Sequence, residues 1–94
     1  SSAVSALGAE FENVSAGELK EMGLTGGVRV KKLSEGKLSS NTNMREGFII
    51  TKIDNKPINT VDELKSALAN KKGGVMIEGR YPDYPGQYFY AFGL

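Results

Sequence analysis

Glycine punctuation constrains this chain more than any other feature. Twelve of its 94 residues are Gly, and they fall between short apolar runs rather than inside long ones. Short runs bounded by turn formers suggest several brief strands. Leu7 to Val14 (LGAEFENV) sets Leu7, Ala9, Phe11 and Asn13 on one side, a partial period of two. Val28 to Leu33 (VRVKKL) alternates Val28 and Val30 with Arg29 and Lys31, giving one apolar and one basic face. Gly47 to Asp54 (GFIITKID) is the most hydrophobic run and reads as a central strand. Val75 to Arg80 and Gln87 to Phe92 read as the last two strands, joined by the proline-bearing turn Tyr81 to Gly86.

Two segments carry helix signals instead. Ser15-Ala16-Gly17-Glu18 is a capping box, in which the Ser hydroxyl accepts from the third helical N–H and Glu18 reaches back. With Leu19 and Met22 at i, i+3 and Gly23 as the stop, it predicts a short helix over 16–22. Thr60-Val61-Asp62-Glu63 is a second capping box, followed by Val61, Leu64 and Leu68 on one stripe. Acidic residues at its start, Lys71 and Lys72 at its end and Gly73-Gly74 beyond predict a helix over 61–71. Between the strands, 34–46 reads as a polar loop with its most mobile stretch at Ser39 to Asn43, and Asp54 to Pro57 reads as a turn. Ser1 to Ala6 (SSAVSA) reads as a linker, leaving 7–94 as one domain. The order of elements makes this an α+β domain or a small, partly open barrel capped by a helix.

Composition removes whole classes of function. With 39% hydrophobic and 24% charged residues the chain has the makeup of a folded domain, not of a disordered one. Twelve Lys and Arg against 11 Asp and Glu leave a formal charge of +1, so no bulk attraction to nucleic acid exists. No apolar run approaches the roughly 20 residues of a membrane-spanning helix, and no membrane insertion is expected. The absence of His and Cys excludes His-based triads, His general bases, thiol nucleophiles and the common zinc sites. Gly26-Gly27 and Gly73-Gly74 lack the spacing of phosphate-cradling loops. No catalytic residue, metal site or cofactor is therefore expected. The six aromatic residues between Tyr81 and Phe92 read chiefly as packing for a two-stranded ribbon, and a ligand platform is the sharper alternative.

The informative stretch is Leu24 to Leu33 (LTGGVRVKKL), where a glycine turn feeds an amphipathic strand. Glycines let successive N–H groups converge into a concave anion site. An open strand margin beside such a turn takes an extended peptide, with its terminal carboxylate on the N–H groups of Gly26, Gly27 and Val28. The helix over 61–71 forms the other wall of this groove.

Three stretches then resemble one family. Leu7 to Lys20 (LGAEFENVSAGELK) is similar to the opening strand and short helix of a PDZ domain of the bacterial, circularly permuted kind. Arg45 to Ile50 with Ile53 to Ile58 resembles its Gly-Asp-hydrophobic-Ile pattern followed by Asn-Gly, and Thr60 to Leu68 (TVDELKSAL) resembles its groove helix. The likeness is strongest to the C-terminal PDZ domain of HtrA-type, DegP-like serine proteases. It implies a partly open barrel or sandwich of about five or six strands, with peptide-binding residues at Gly26, Gly27, Val28, Arg29, Val30, Val61, Lys65 and Leu68. Family loops place a large apolar residue before the central glycine, and here Gly26 stands in that position. The resemblance also implies peptide C-termini or unfolded segments as partners. An upstream protease domain, neighbouring subunits and a bacterial periplasm or cell envelope are further implications. A purely structural domain that mediates oligomer contacts is the alternative.

Overall fold

The computed structural model describes residues 7–69 and 71–94. The linker expected at Ser1 to Ala6 lies outside the described residues. Element order is β1 (Ala9–Asn13), α1 (Ala16–Met22), β2 (Val28–Leu33), α2 (Lys37–Asn41), β3 (Ile49–Ile53), β4 (Lys56–Pro57), α3 (Val61–Leu68), β5 (Gly74–Arg80) and β6 (Tyr88–Gly93). One antiparallel sheet runs β1-β2-β3-β5-β6, with β4 hanging from β3 as a hairpin. The sheet does not close, so β1 and β6 are its two margins among the described residues. This is the expected α+β, partly open architecture.

Local chemistry explains most of these boundaries. Ser15 caps α1 by accepting from the Glu18 N–H at 3.3 Å, and Gly23 closes it in the left-handed region at φ 71°. Glu18 does not complete the reciprocal half of that box, because its carboxylate is held by Arg29. At α3 the Glu63 N–H donates to Thr60 Oγ1, while the Glu63 carboxylate accepts from the Asn59 N–H, one residue upstream of the expected donor. The β3–β4 hairpin turns through Asp54 and Asn55 at φ 50° and 67°. Short polar side chains tolerate that left-handed pair better than others do.

Two expectations need correction. The helix predicted over 61–71 ends at Leu68. The Ala69 and Lys71 N–H groups fold back to Ser66 and Leu68 in tightened turns. The Lys71 ammonium leaves the helix axis to pair with Asp54 at 2.7 Å. The loop expected to be mobile at Ser39 to Asn43 is instead mostly the short helix α2 with its cap. Leu38 anchors it at 0% exposure, and Thr42 Oγ1 donates to the Leu38 carbonyl at 2.6 Å.

The core joins the inner faces of the sheet to α2 and α3. Leu7, Val28, Val30, Leu38, Phe48, Ile50, Leu64, Leu68 and Ile77 are all fully buried in it. Packed rings extend the core under the β5–β6 ribbon: Phe48 meets Tyr81 at 4.8 Å in a tilted pair and Tyr90 at 5.1 Å edge to face. The packing expected of the late aromatics is therefore present.

The sheet order overturns the most consequential expectation. The sequence places an open margin on the strand that follows Gly26-Gly27, but β1 pairs with β2 along its whole length, from Ala9 opposite Leu33 to Asn13 opposite Val28. On its other side β3 pairs with Val28 and Arg29, Val30 exchanges bonds with Phe48 and Gly47, and the Leu33 N–H donates to Glu46. Strand β2 is interior, and no extended peptide can add to it.

Candidate functional site

The diglycine has a packing role in this position. Gly26 and Gly27 are buried. A Cβ on Gly26 would run into the Asn59 side chain, and one on Gly27 would sit 2.6 Å from Ile49 Cγ2. Close approach of the turn to β3 and to the start of α3 thus accounts for both glycines. Val28 and Val30 are fully buried core residues. Arg29 is half-buried and serves as a clamp: it bonds Glu12 of β1 at 3.4 Å and Glu18 of α1. The Glu18 hydrogen bond raises the Arg29 pKa above its ordinary value, and the guanidinium in turn holds Glu18 below the usual carboxylate range. The five predicted residues on the turn and β2 therefore make scaffold, not a binding edge.

Free main chain lies one strand away, on β1. The Ser34 N–H donates to the Gly8 carbonyl at 2.8 Å, so Gly8 faces β2. Backbone direction alternates along a strand, which turns the N–H and C=O of Ala9 and Phe11 away from β2. An independent set of bonds agrees. Val30, opposite Phe11, spends its own N–H and C=O on Phe48 and Gly47, leaving neither for β1. A bulge between Glu10 and Phe11 in this pairing lets both ends of β1 keep their outward direction. Among the described residues no strand pairs with that outer margin.

Helix α3 stands beside this margin. It contacts β1, and its first N–H, from Val61, donates to Asn13 Oδ1 at 2.8 Å. That bond fixes the C-terminal end of β1 to the N-terminus of α3. The predicted wall residues fall on this helix: Val61 is half-buried and Lys65 exposed, while Leu68 is fully buried in the core. Ala9 and Phe11 pack on the same core as Val61. The structure thus fixes the start of α3 to β1, while Leu68 shares the core with Val28 and Val30.

At the head of β1 sits a second glycine turn. Gly8 adopts φ +71°, and a Cβ there would lie 2.8 Å from the Gly36 Cα and closer still to the Glu35 carbonyl. Only glycine fits that approach without strain. The turn Leu7-Gly8-Ala9 carries the features that Gly26-Gly27 lacks: a large apolar residue before the glycine, and an unpaired strand margin after it. That apolar-glycine order was the signal available in the sequence.

No group of His, Cys, Asp or Glu residues able to hold a metal ion occurs among the described residues. No helix among them is long and apolar enough to cross a membrane.

Comparisons with known proteins bear on the fold. Residues 1–72 match the family model of the PDZ-like domain. The chain is 29% identical over 60 residues to the serine protease PepD of Mycobacterium tuberculosis, a match covering 64% of this chain and 13% of that relative. Its fold superimposes on a crystal structure of the HtrA3 PDZ domain bound to a phage-derived ligand (FGRWV). There the TM-score is 0.75 at 16% identity, over 93% of this chain and 81% of that one.

Proposed function

Because this chain belongs to the PDZ-like domain family, a non-catalytic module, we propose that it captures extended peptide segments and peptide C-termini in the groove between β1 and α3. The observation that carries this reading is the outward direction of the Ala9 and Phe11 main chain beside α3. Two such residues, with N–H and C=O each, offer four bonds to an added strand. The Gly8 turn at the head of the margin suits a terminal carboxylate, since backbone N–H groups around a left-handed glycine converge on an anion. The HtrA3 domain named above was crystallised with a peptide ligand, which supports the same use of this fold here.

Affinity follows from the parts. A carboxylate on backbone N–H groups contributes about 1.5–3 kcal/mol, each strand bond about 1, and one buried ligand Leu or Val about 1.5–3. Association costs about 4 kcal/mol or more. The remainder corresponds to roughly micromolar to millimolar binding. Such weak, reversible capture suits tethering within a larger protein. The test is calorimetric titration with a pentapeptide ending in Val as the free acid and as the amide. The free acid binds at least about tenfold more tightly if the turn receives the carboxylate. Equal affinity of acid and amide contradicts it.

The parent implied by this reading is an HtrA-like serine endopeptidase of the bacterial periplasm or envelope, with this module presenting substrate or regulating the protease. Similarity to a mycobacterial serine protease supports it. In the full-length parent, the free-acid peptide then alters cleavage of an unfolded substrate, and excision of this domain abolishes the change. Identical rates with and without the peptide stand against it.

A further inference from the structure

The opposite margin of the sheet carries a second pocket that the β1 groove does not use. A cavity of about 360 Å³ opens beside β6, within the size range of small-ligand sites. Asn43 and Arg45 form one wall, from the connection between α2 and β3. The opposite wall is tyrosine: Tyr81, Tyr84, Tyr88 and Tyr90, with Tyr81 meeting Tyr84 at 6.0 Å and Tyr88 at 5.0 Å edge to face. The bed is rigid. Tyr81 and Tyr90 share a hydroxyl–hydroxyl bond of 2.6 Å, and the Tyr81 hydroxyl also accepts from the Arg45 N–H. Burial is the main cause that pushes the Tyr90 hydroxyl above its ordinary pKa, and Arg45 lines the same cavity as Tyr90. Among the described residues Arg45 makes no salt bridge.

Unpaired main-chain groups continue along the same strand margin beside this cavity. Met76 N–H donates to Asp54 Oδ1 and its C=O accepts from the Asp54 N–H, so Met76 faces β3 and leaves its β6 partner Ala91 unbonded to it. Alternation then directs the N–H and C=O of Ala91 and Phe89 outward. Phe89 lines the cavity together with its neighbours Tyr88 and Tyr90, although its ring stands on the other face and is 57% exposed. Side chains of consecutive strand residues point to opposite faces, so the cavity meets the strand at its margin. Among the described residues β6 pairs with β5 alone.

We propose that this margin is a second strand-addition site, taking an internal extended polypeptide segment whose main chain pairs with Phe89 and Ala91. On one face of the segment, an apolar side chain fills the tyrosine bed and an acidic side chain two residues along meets Arg45. The free margin selects an extended polypeptide over a compact ligand, and the unpaired cation selects the acid. The exposed Phe89 ring covers the segment's other face. No terminal carboxylate is needed, which separates this site from the β1 groove.

The test uses acetyl-Ala-Phe-Ala-Glu-Ala-amide, blocked at both ends, titrated into the isotope-labelled domain with amide shifts as the readout. Saturable shifts concentrate at Arg45, Phe89 and Ala91. Arg45→Glu weakens binding at least about tenfold, and the same peptide with Lys in place of Glu regains it on that variant. The Arg45 side chain is exposed and only its backbone N–H bonds Tyr81, so the variant retains that contact. Shifts confined to Gly8–Asn13 and α3, no shifts at about 5 mM peptide, or unchanged binding by Arg45→Glu each overturn the proposal. Failure here leaves the β1 groove standing, since its own test depends on a free carboxylate.

Discussion

Replacing Gly8 by Ala tests how the head of β1 is built. Two costs act there. An Ala forced into the left-handed region at φ +71° loses about 1–2 kcal/mol. The added methyl also lands 2.8 Å from the Gly36 Cα, against backbone that cannot rotate away, which adds about 1–3 kcal/mol of overpacking. The expected loss is therefore about 2–5 kcal/mol, out of a total of about 5–10 for a domain of this size. Gly23 supplies the control within the same chain. It has the same φ of +71° but nothing within 4 Å of a Cβ, so Gly23→Ala carries the conformational cost alone, about 1–2 kcal/mol. Urea denaturation at neutral pH measures both, and thermal melting repeats the comparison at about 4–8 °C per kcal/mol. Gly8→Ala must be the more destabilising by at least about 1 kcal/mol. Equal losses would mean that the Leu7-Gly8 turn does not press on Glu35 and Gly36, and the close approach described here would be wrong.

Further outcomes follow from the packing and the charges. Leu38→Ala, at the fully buried anchor of α2, costs about 2–5 kcal/mol in denaturant titration, whereas a loop anchored by nothing would lose under about 0.5. Lys71 and the Met76 N–H hold the Asp54 carboxyl below its ordinary value of 3.8, so the pair's stabilisation is present above about pH 4 and fades as pH falls through the lowered pKa. Lys71→Met thus costs about 0.2–1 kcal/mol at pH 7, and the difference from wild type shrinks below pH 4; a constant difference rules the pair out. The Tyr90 hydroxyl is raised above its ordinary value of 10.0, chiefly by burial, so its stabilisation is full below pH 10 and is lost as pH rises beyond it. Tyr90→Phe, which cannot ionise, is less stable than wild type by about 1 kcal/mol at pH 7 and closes that gap above pH 10; parallel pH curves for the two proteins would contradict this.

Local signals in the sequence carried most of the elements. Helix α1 matches the span implied by Ser15 and Gly23, and the turn expected over Asp54 to Pro57 is confined to Asp54-Asn55, with Lys56 and Pro57 forming β4. Helix α2 was hidden because it is five residues long, starts at a glycine without a side-chain cap, and presents Leu38 as its only buried residue. No periodicity exists over so short a span. The end of α3 was misjudged because Lys71 looks like a favourable C-terminal charge, while its actual partner, Asp54, is 17 residues upstream and brought near only by the fold. The free sheet margin falls on a different strand from the expected one for a related reason. Val28 to Lys32 and Ala9 to Asn13 are both short amphipathic strands, and which of them ends the sheet depends on pairing across the whole chain, not on either segment. The apolar stripe of Val61, Leu64 and Leu68 on α3 is legible because it is a local property of one helix, whereas the strand beside it is not.

The most direct test of the β1 groove maps where a peptide lands. The isotope-labelled domain is titrated with a pentapeptide ending in Val with a free carboxylate, and backbone amide shifts are followed residue by residue. Perturbation concentrated at Gly8 to Asn13 and along Val61 to Leu68 is the predicted result. Perturbation centred on Gly26 to Val30, with Ala9 and Phe11 unmoved, contradicts it.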